Sequence, residues 1–413
     1  MRGIVWIVLL AAAAVVAATT LGRNDGLVSV FWRGWRTDLS LNLALLLLAA
    51  MVALVVGAVQ ALTALLNLPE RASRWRGLKR ERAAEAALRE ALAEYFGARY
   101  GRAHKAALRA LALQEQAPAL ARDSRFLQLA RLLAAGSLHR LQDRPRRDAM
   151  LECAMAAVAP GGAQGDEATR LLAAEWALED RDAGRALEML DAMPPGAARR
   201  TQALRLRLQA TRLARQPAEA LRTARLLAKH QAFSPLVAQT LLRTLAGEWL
   251  EHAHDLQQLR RLWGQLDEQD RRDPQVAARA AARAAVLEGA DDARQWLQPF
   301  WERLSALSRE DREAVALALV EARAGIGHDW LPRLEAAEQA FGHEPAVVVA
   351  VGLAFADRGL WGKARARLEQ AAASPALQPG LRRLALRELA ALAREAGDDE
   401  RARVHEQAAA VLD

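Results

Sequence analysis

The 413-residue chain is poor in cysteine, tyrosine and lysine. Its one cysteine, Cys153, excludes an internal disulfide and fits a reducing compartment. With no second cysteine there is no thiolate metal clamp. Cys153 lies in MLECAMAAVA, a helical context that predicts a small buried residue. No phosphate loop, dinucleotide fingerprint or His-Glu-x-x-His motif is present. The histidines are His104, His139, His230, His252, His254, His328, His343 and His405. Only His252 and His254 are close in sequence, and an i, i+2 pair points to different faces of a helix. All eight read as surface or interface residues. Catalytic residues and a metal site are therefore expected to be absent, and the expectation is a non-enzyme.

What is present in quantity is apolar helix. From Leu41 to Leu66 no residue is charged. These 26 residues make about 39 Å of helix at 1.5 Å per residue, against a bilayer core of about 30 Å. The helix is expected to end at Asn67-Leu68-Pro69. A basic run follows: Arg71, Arg74, Arg76, Lys79, Arg80 and Arg82, opposed by Glu70 and Glu81. Lys and Arg beside a span mark the cytoplasmic side and pair with anionic lipid, which predicts a lipid-facing cluster. A second apolar stretch, residues 3–21, is just long enough to span; a cleaved signal peptide is its alternative reading. The loop 22–38 between them falls on the opposite, periplasmic side, although Arg23, Arg33 and Arg36 weaken the charge bias. Asn24-Asp25-Gly26 is turn chemistry. Val28, Val30 and Trp32 alternate as a short extended piece, with Trp32 and Trp35 placed at the interface. Both termini are expected in the cytoplasm.

From Ala83 onward Ala, Leu, Arg and Glu dominate, with apolar residues at i, i+3, i+4 and i+7 and breaks at Gly, Pro or Asp. The pattern repeats. In Pro345–Gln378, Gly352, Phe355, Gly359, Trp361, Ala364, Leu368 and Ala371 fall at tetratricopeptide spacing. The small Gly352 admits a partner helix, Phe355 and Trp361 fill the groove, and Gly359 closes the first helix. Ala364 keeps the second helix close. Gly397 and Ala402 repeat the device. Ala186 and Ala220 lie 34 residues apart (220 − 186), and Tyr100 with Ala103 offers an early unit; units at Ala149 and Ala293 are less regular. The expected fold is all-α: a membrane anchor over 1–82, with spans at 3–21 and 41–66 and a basic segment at 69–82, then a tetratricopeptide-like helical-repeat domain over 83–413. A repeat cannot bury its own face, so neighbours stack and leave a groove for partner proteins.

The formal net charge is +8. Part of it sits in the basic run, and no aromatic-basic module accompanies it, so nucleic acid is not an expected partner. Trp176, Trp249, Trp263, Trp296, Trp301, Trp330 and Trp361 are spread over the repeats and read as inter-helix packing, with one or two as groove anchors.

The N-terminal text carries a further signal. Gly22-Arg23-Asn24-Asp25-Gly26, Trp35 through Ala44 (WRTDLSLNLA), Asn67-Leu68-Pro69-Glu70-Arg71 and Arg74-Trp75-Arg76 resemble the HemY family of proteobacterial membrane proteins. This is not the protoporphyrinogen oxidase of the same name. The resemblance covers about the first 110 residues. It implies a protein of the bacterial inner membrane linked to haem or porphyrin biosynthesis, with lipid and cytoplasmic proteins, haem-pathway enzymes among them, as partners. It supplies no catalytic residues. It leaves three readings open: a scaffold or regulator that gathers pathway enzymes, a carrier or sensor that binds haem or a porphyrin as cofactor, and a general envelope-assembly adaptor. Ala154 after Cys153 means that the Cys-Pro pair of some regulatory haem sites is absent.

Overall fold

The computed structural model describes residues 26–66, 68–117, 120, 121, 123–156 and 163–412. The stretch 3–21 and the turn residues Asn24 and Asp25 lie outside the described residues, as does Asn67. The chain divides into two compact units, Met1–Ala157 and Val158–Asp413. The fold is nearly all-α, with 21 α-helices among the described residues.

Among the described residues, the strands lie in the first unit. Strands β1 (Leu27–Trp32) and β2 (Trp35–Ser40) pair antiparallel, from Leu27 opposite Ser40 to Trp32 opposite Trp35. The all-α expectation is corrected here, because the extended piece finds a partner: Trp35, Thr37 and Leu39 continue its alternation on the way back. Arg33 and Gly34 join the strands with φ of 46° and 90°, the positive pair that a two-residue turn of matching twist demands. The Leu41 N–H donates to the Gly26 carbonyl at 2.9 Å, so the long helix Leu41–Leu66 starts at the base of the hairpin. The next helix, Leu68–Phe96, has Pro69 as its second residue. There the missing N–H has no intrahelical partner to lose, so the proline opens a helix as well as following one. The basic segment is thus helical and continuous with the repeats, across the expected boundary between 82 and 83. Two helical hairpins follow: Leu68–Phe96 with Tyr100–Glu115, and Ser124–Arg140 with Arg144–Ala156. Ala84, Ala87 and Ala91 are buried, as are Ala103, Ala106, Ala107 and Ala110, so these helices meet through small side chains.

In the second unit, first helices begin at Ala163, Thr201, Pro235, Pro274, Arg309, Pro345 and Pro379. The steps are 38, 34, 39, 35, 36 and 34 residues by subtraction of those starts. Four of the seven begin on proline, whose fixed φ suits the first helical position. From Thr201 on, each first helix packs on the next first helix or on the second helix between them, so every hairpin buries its face against its neighbour. The core runs without break from Leu204 to Ala409.

One turn recurs between helices. Ala98, Gln142, Arg181, Arg215, Glu288, Gly359 and Gly397 each stand between two helices at φ 54–76°. The residue after each donates its N–H to a carbonyl five back: Arg99 to Glu94, Asp143 to Leu138, Asp182 to Ala177, Gln216 to Thr211, Gly289 to Ala284, Leu360 to Phe355 and Asp398 to Ala393. This is the bond pair that closes a helix through a left-handed residue, and here the same residue that closes one helix precedes the cap of the next.

Candidate membrane and partner-binding surfaces

The helix Leu41–Leu66 is long and apolar enough to cross a membrane. Its Leu41–Thr63 segment has mean hydropathy 2.6 and is not buried anywhere in the structure. It is the one such helix among the described residues. Beyond it, the lipid-facing expectation for the basic run divides by helix face. Ala84 and Ala87 mark the core side of Leu68–Phe96. At 3.6 residues per turn Arg80 lies on that same side, and its Nη1 reaches the Gln116 carbonyl at 3.4 Å. Arg80 therefore serves the fold. Trp75, Lys79 and Arg82 lie on the opposite, exposed side, with the Lys79 ammonium 5.4 Å from the Trp75 ring. Arg76 is exposed too. The side chains of Arg71 and Arg74 lie outside the described residues.

The repeat-packing residues converge on one geometry. Ala103, Ala186, Ala220, Ala364 and Ala402 are buried, and each follows its helix cap by four residues. Ala293 holds the same position after Gly289. Phe355, Leu368 and Ala371 are buried, and Gly352 packs where a Cβ would stand 3.1 Å from Leu368 Cδ2. Gly359 at φ +74° closes Pro345–Asp357. Three expectations need correction. Trp361 is 53 % exposed rather than a groove filler, because it is the first residue of its helix and Phe355 already occupies the space between the helices. Ala149 is exposed; the slot in its hairpin belongs to Arg147, buried among Asp148 Oδ1 at 2.9 Å and His139 Nδ1 at 3.1 Å. Cys153 is exposed, one residue off the face formed by Arg147, Leu151 and Ala154.

Of the tryptophans, Trp176, Trp301 and Trp330 are buried, and Trp301 Nε1 donates to the Arg333 carbonyl at 3.2 Å. Trp263 and Trp296 stack with centroids 4.9 Å apart. They are half-buried and line a groove of about 590 Å³ with Arg271 and Arg303.

First helices of the second unit carry their own groove, about 370 Å³, lined by Ala278, Ala282, Ala314, Leu317, Ala318 and Leu381, with Arg279 and Glu321 at its rim. A ladder of bonds ties successive first helices, and Gln275 of the groove lining is part of it. Arg243 reaches Asp273 at 2.7 Å and Asp311 at 3.4 Å, Gln275 reaches Asp311 at 3.0 Å, and Arg312 clamps Glu344 at 2.6 Å. The Asp273 carboxylate also accepts from the N–H groups of Gln275 and Val276, so a single side chain caps one helix and ties it to its neighbour. No sequence motif marked this groove, because its lining is alanine and leucine, the residues that also fill the core. Burial raises the Asp357 and Glu388 carboxyls above the usual range, each against the pull of Arg323, whose Nε lies 3.4 Å from Asp357 Oδ2. The Arg99 hydrogen bond lowers Glu94.

Residues 26–142 match the family described as HemY protein N-terminus. The resemblance in the N-terminal motifs is thereby borne out over the residues that the match covers. No curated protein matches the chain. A solved structure titled "Structure of Naa15/Naa10 bound to HypK-THB" aligns at 14 % identity with a TM-score of 0.25, over 76 % of this chain and 56 % of that one. The chain thus spans a little over half the length of that protein.

Proposed function

We propose that this protein is a membrane-anchored, non-enzymatic scaffold or regulator of haem or porphyrin biosynthesis, which holds partner proteins in the groove of its first helices. The observation that carries the reading is the order of parts: a HemY-type N-terminus with an apolar, uncovered 26-residue helix, followed by stacked hairpins. The basic helix face after the span supports a cytoplasmic position for the repeats, since Lys and Arg beside a span favour that side. Helical repeats of this kind bind through the surface their first helices share. Here that surface is an apolar floor between a guanidinium and a carboxylate, suited to an amphipathic segment of a partner. The test is cell fractionation of a strain that keeps residues 1–82 and lacks the repeats. Haem-pathway enzymes should leave the membrane fraction; their unchanged membrane association would overturn the reading.

A further inference from the structure

We propose that the hairpin Leu27–Ser40 lies with one face on the lipid surface at the mouth of the helix Leu41–Leu66, as a foot that fixes the helix in depth. The proposal rests on the reading that this helix crosses the membrane.

The hairpin is two-faced. Side chains alternate along a strand, so the register puts Val28, Val30, Trp32, Trp35, Thr37 and Leu39 on one side. Trp32 is 74 % exposed, Trp35 80 % and Val30 46 %. The other side is mixed: Leu27 and Phe31 are exposed at 70 % and 72 %, among polar side chains that pair with one another. Ser29 Oγ donates to Asp38, Arg36 Nε donates to Asp38 Oδ1 at 3.1 Å, and the Arg36 guanidinium lies 5.7 Å from the Phe31 ring. On the apolar side Val28 and Leu39, at the base, are half-buried, while Val30, Trp32, Trp35 and Thr37 are exposed. A lone two-stranded hairpin is marginal in water and needs a cover for its apolar face.

Lipid is the cover that the geometry provides. Ser40 ends the strand and Leu41 begins the helix, with no linker between them, and the Leu41 N–H bond to Gly26 closes the base. A helix of about 39 Å more than spans a core of about 30 Å, so its first turn stands at the boundary between tails and head groups. With no linker, the base of the hairpin starts at that boundary. Two tryptophans side by side, with apolar bodies and an N–H each, suit that depth, and Arg33 at the turn is placed for lipid phosphate.

The test uses the full chain with Cys153→Ser, reconstituted in phosphatidylethanolamine–phosphatidylglycerol bilayers. Nitroxides are attached at Val30→Cys and Thr37→Cys on one face, Ser29→Cys and Arg36→Cys on the other, and Met51→Cys in mid-helix. Collisions with oxygen report lipid and collisions with a nickel chelate report water. The proposal predicts that Val30 and Thr37 favour oxygen as Met51 does, with a several-fold reversal at Ser29 and Arg36. A lipid-buried Met51 with Val30 and Thr37 as open to nickel as Ser29 overturns the foot alone. Labels at Val30 and Thr37 shielded from both reagents also overturn it, because the cover is then protein. A nickel-accessible Met51 overturns the spanning helix, and the foot with it.

Discussion

Enlarging Gly352 tests the repeat packing most sharply. The residue is buried in the middle of Pro345–Asp357. A Cβ there would stand 3.1 Å from Leu368 Cδ2 and 3.2 Å from both Leu368 Cγ and Arg367 Cβ. Carbon contacts are optimal near 3.5–4.0 Å, so one added methyl asks the two helices to part by a few tenths of an ångström. Gly→Ala in an open helix gains about 1 kcal/mol. Here crowding offsets that gain, and Gly352→Ala should fall within about 1 kcal/mol of neutral. Gly352→Leu adds three more carbons against Leu368, which is already fully buried. Overpacking of this kind costs about 1–3 kcal/mol. Repeat arrays distribute stability between nearest neighbours, so the loss should concentrate in residues 345–373 and fade toward residues 163–213. Native-state hydrogen exchange read by mass spectrometry on the full chain checks this. Gly352→Leu should speed exchange in 345–373 by about 5- to 150-fold, since 1.4 kcal/mol is a factor of ten. Unchanged exchange in Gly352→Leu, or a full 1 kcal/mol gain in Gly352→Ala, would show that no close approach exists there.

Other perturbations follow from the same structure. Asp357 and Glu388 have folded pKa values raised by burial, so their contribution to stability is present at low pH and is lost as pH rises through those values. Exchange protection in 345–357 and 379–395 should therefore rise as pH falls from neutral toward the usual carboxylate range. Glu94, lowered by its hydrogen bond from Arg99, should respond in the opposite sense and at lower pH: the first unit should lose protection as pH falls through the usual carboxylate range and below it. Replacing both partners, Arg147→Met with Asp148→Leu, removes the buried charge without stranding its counter-ion and should be neutral or stabilising by thermal melting. Asp148→Ala leaves that guanidinium buried with less compensation and should cost about 3 kcal/mol. Ser308→Ala deletes the cap whose Oγ accepts from the Asp311 N–H at 3.1 Å and should cost about 1 kcal/mol, with Ser308→Gly costing less.

The sequence made the repeats legible where packing demands one residue type. An alanine four positions past a helix cap is fully buried in hairpin after hairpin, so Ala186 and Ala220 keep register, and Gly359 and Gly397 mark turns. The remaining turns were hidden. Ala98, Gln142, Arg181, Arg215 and Glu288 take the same left-handed conformation without glycine, held by the carbonyl bond that follows. A propensity reading has no signal for a residue forced by hydrogen bonds beyond it. The return strand of the hairpin was hidden for a related reason, since an Arg-Gly turn is a weaker marker than Asn-Gly. Arg147 shows the limit of pattern: a charged residue took a slot that six other hairpins fill with alanine, because Asp148 and His139 stand beside it. The groove at Leu317 is silent in sequence, as its lining differs from core only by lacking a neighbour.

The central claim is that the groove of the first helices holds haem-pathway proteins at the membrane. In-cell photocrosslinking from Leu317, with Gln298 on a second helix as control, tests it most directly. The account predicts that a membrane-bound haem-pathway enzyme is captured from Leu317 and not from Gln298. Equal capture at both positions, or envelope-assembly proteins in place of pathway enzymes, would contradict it.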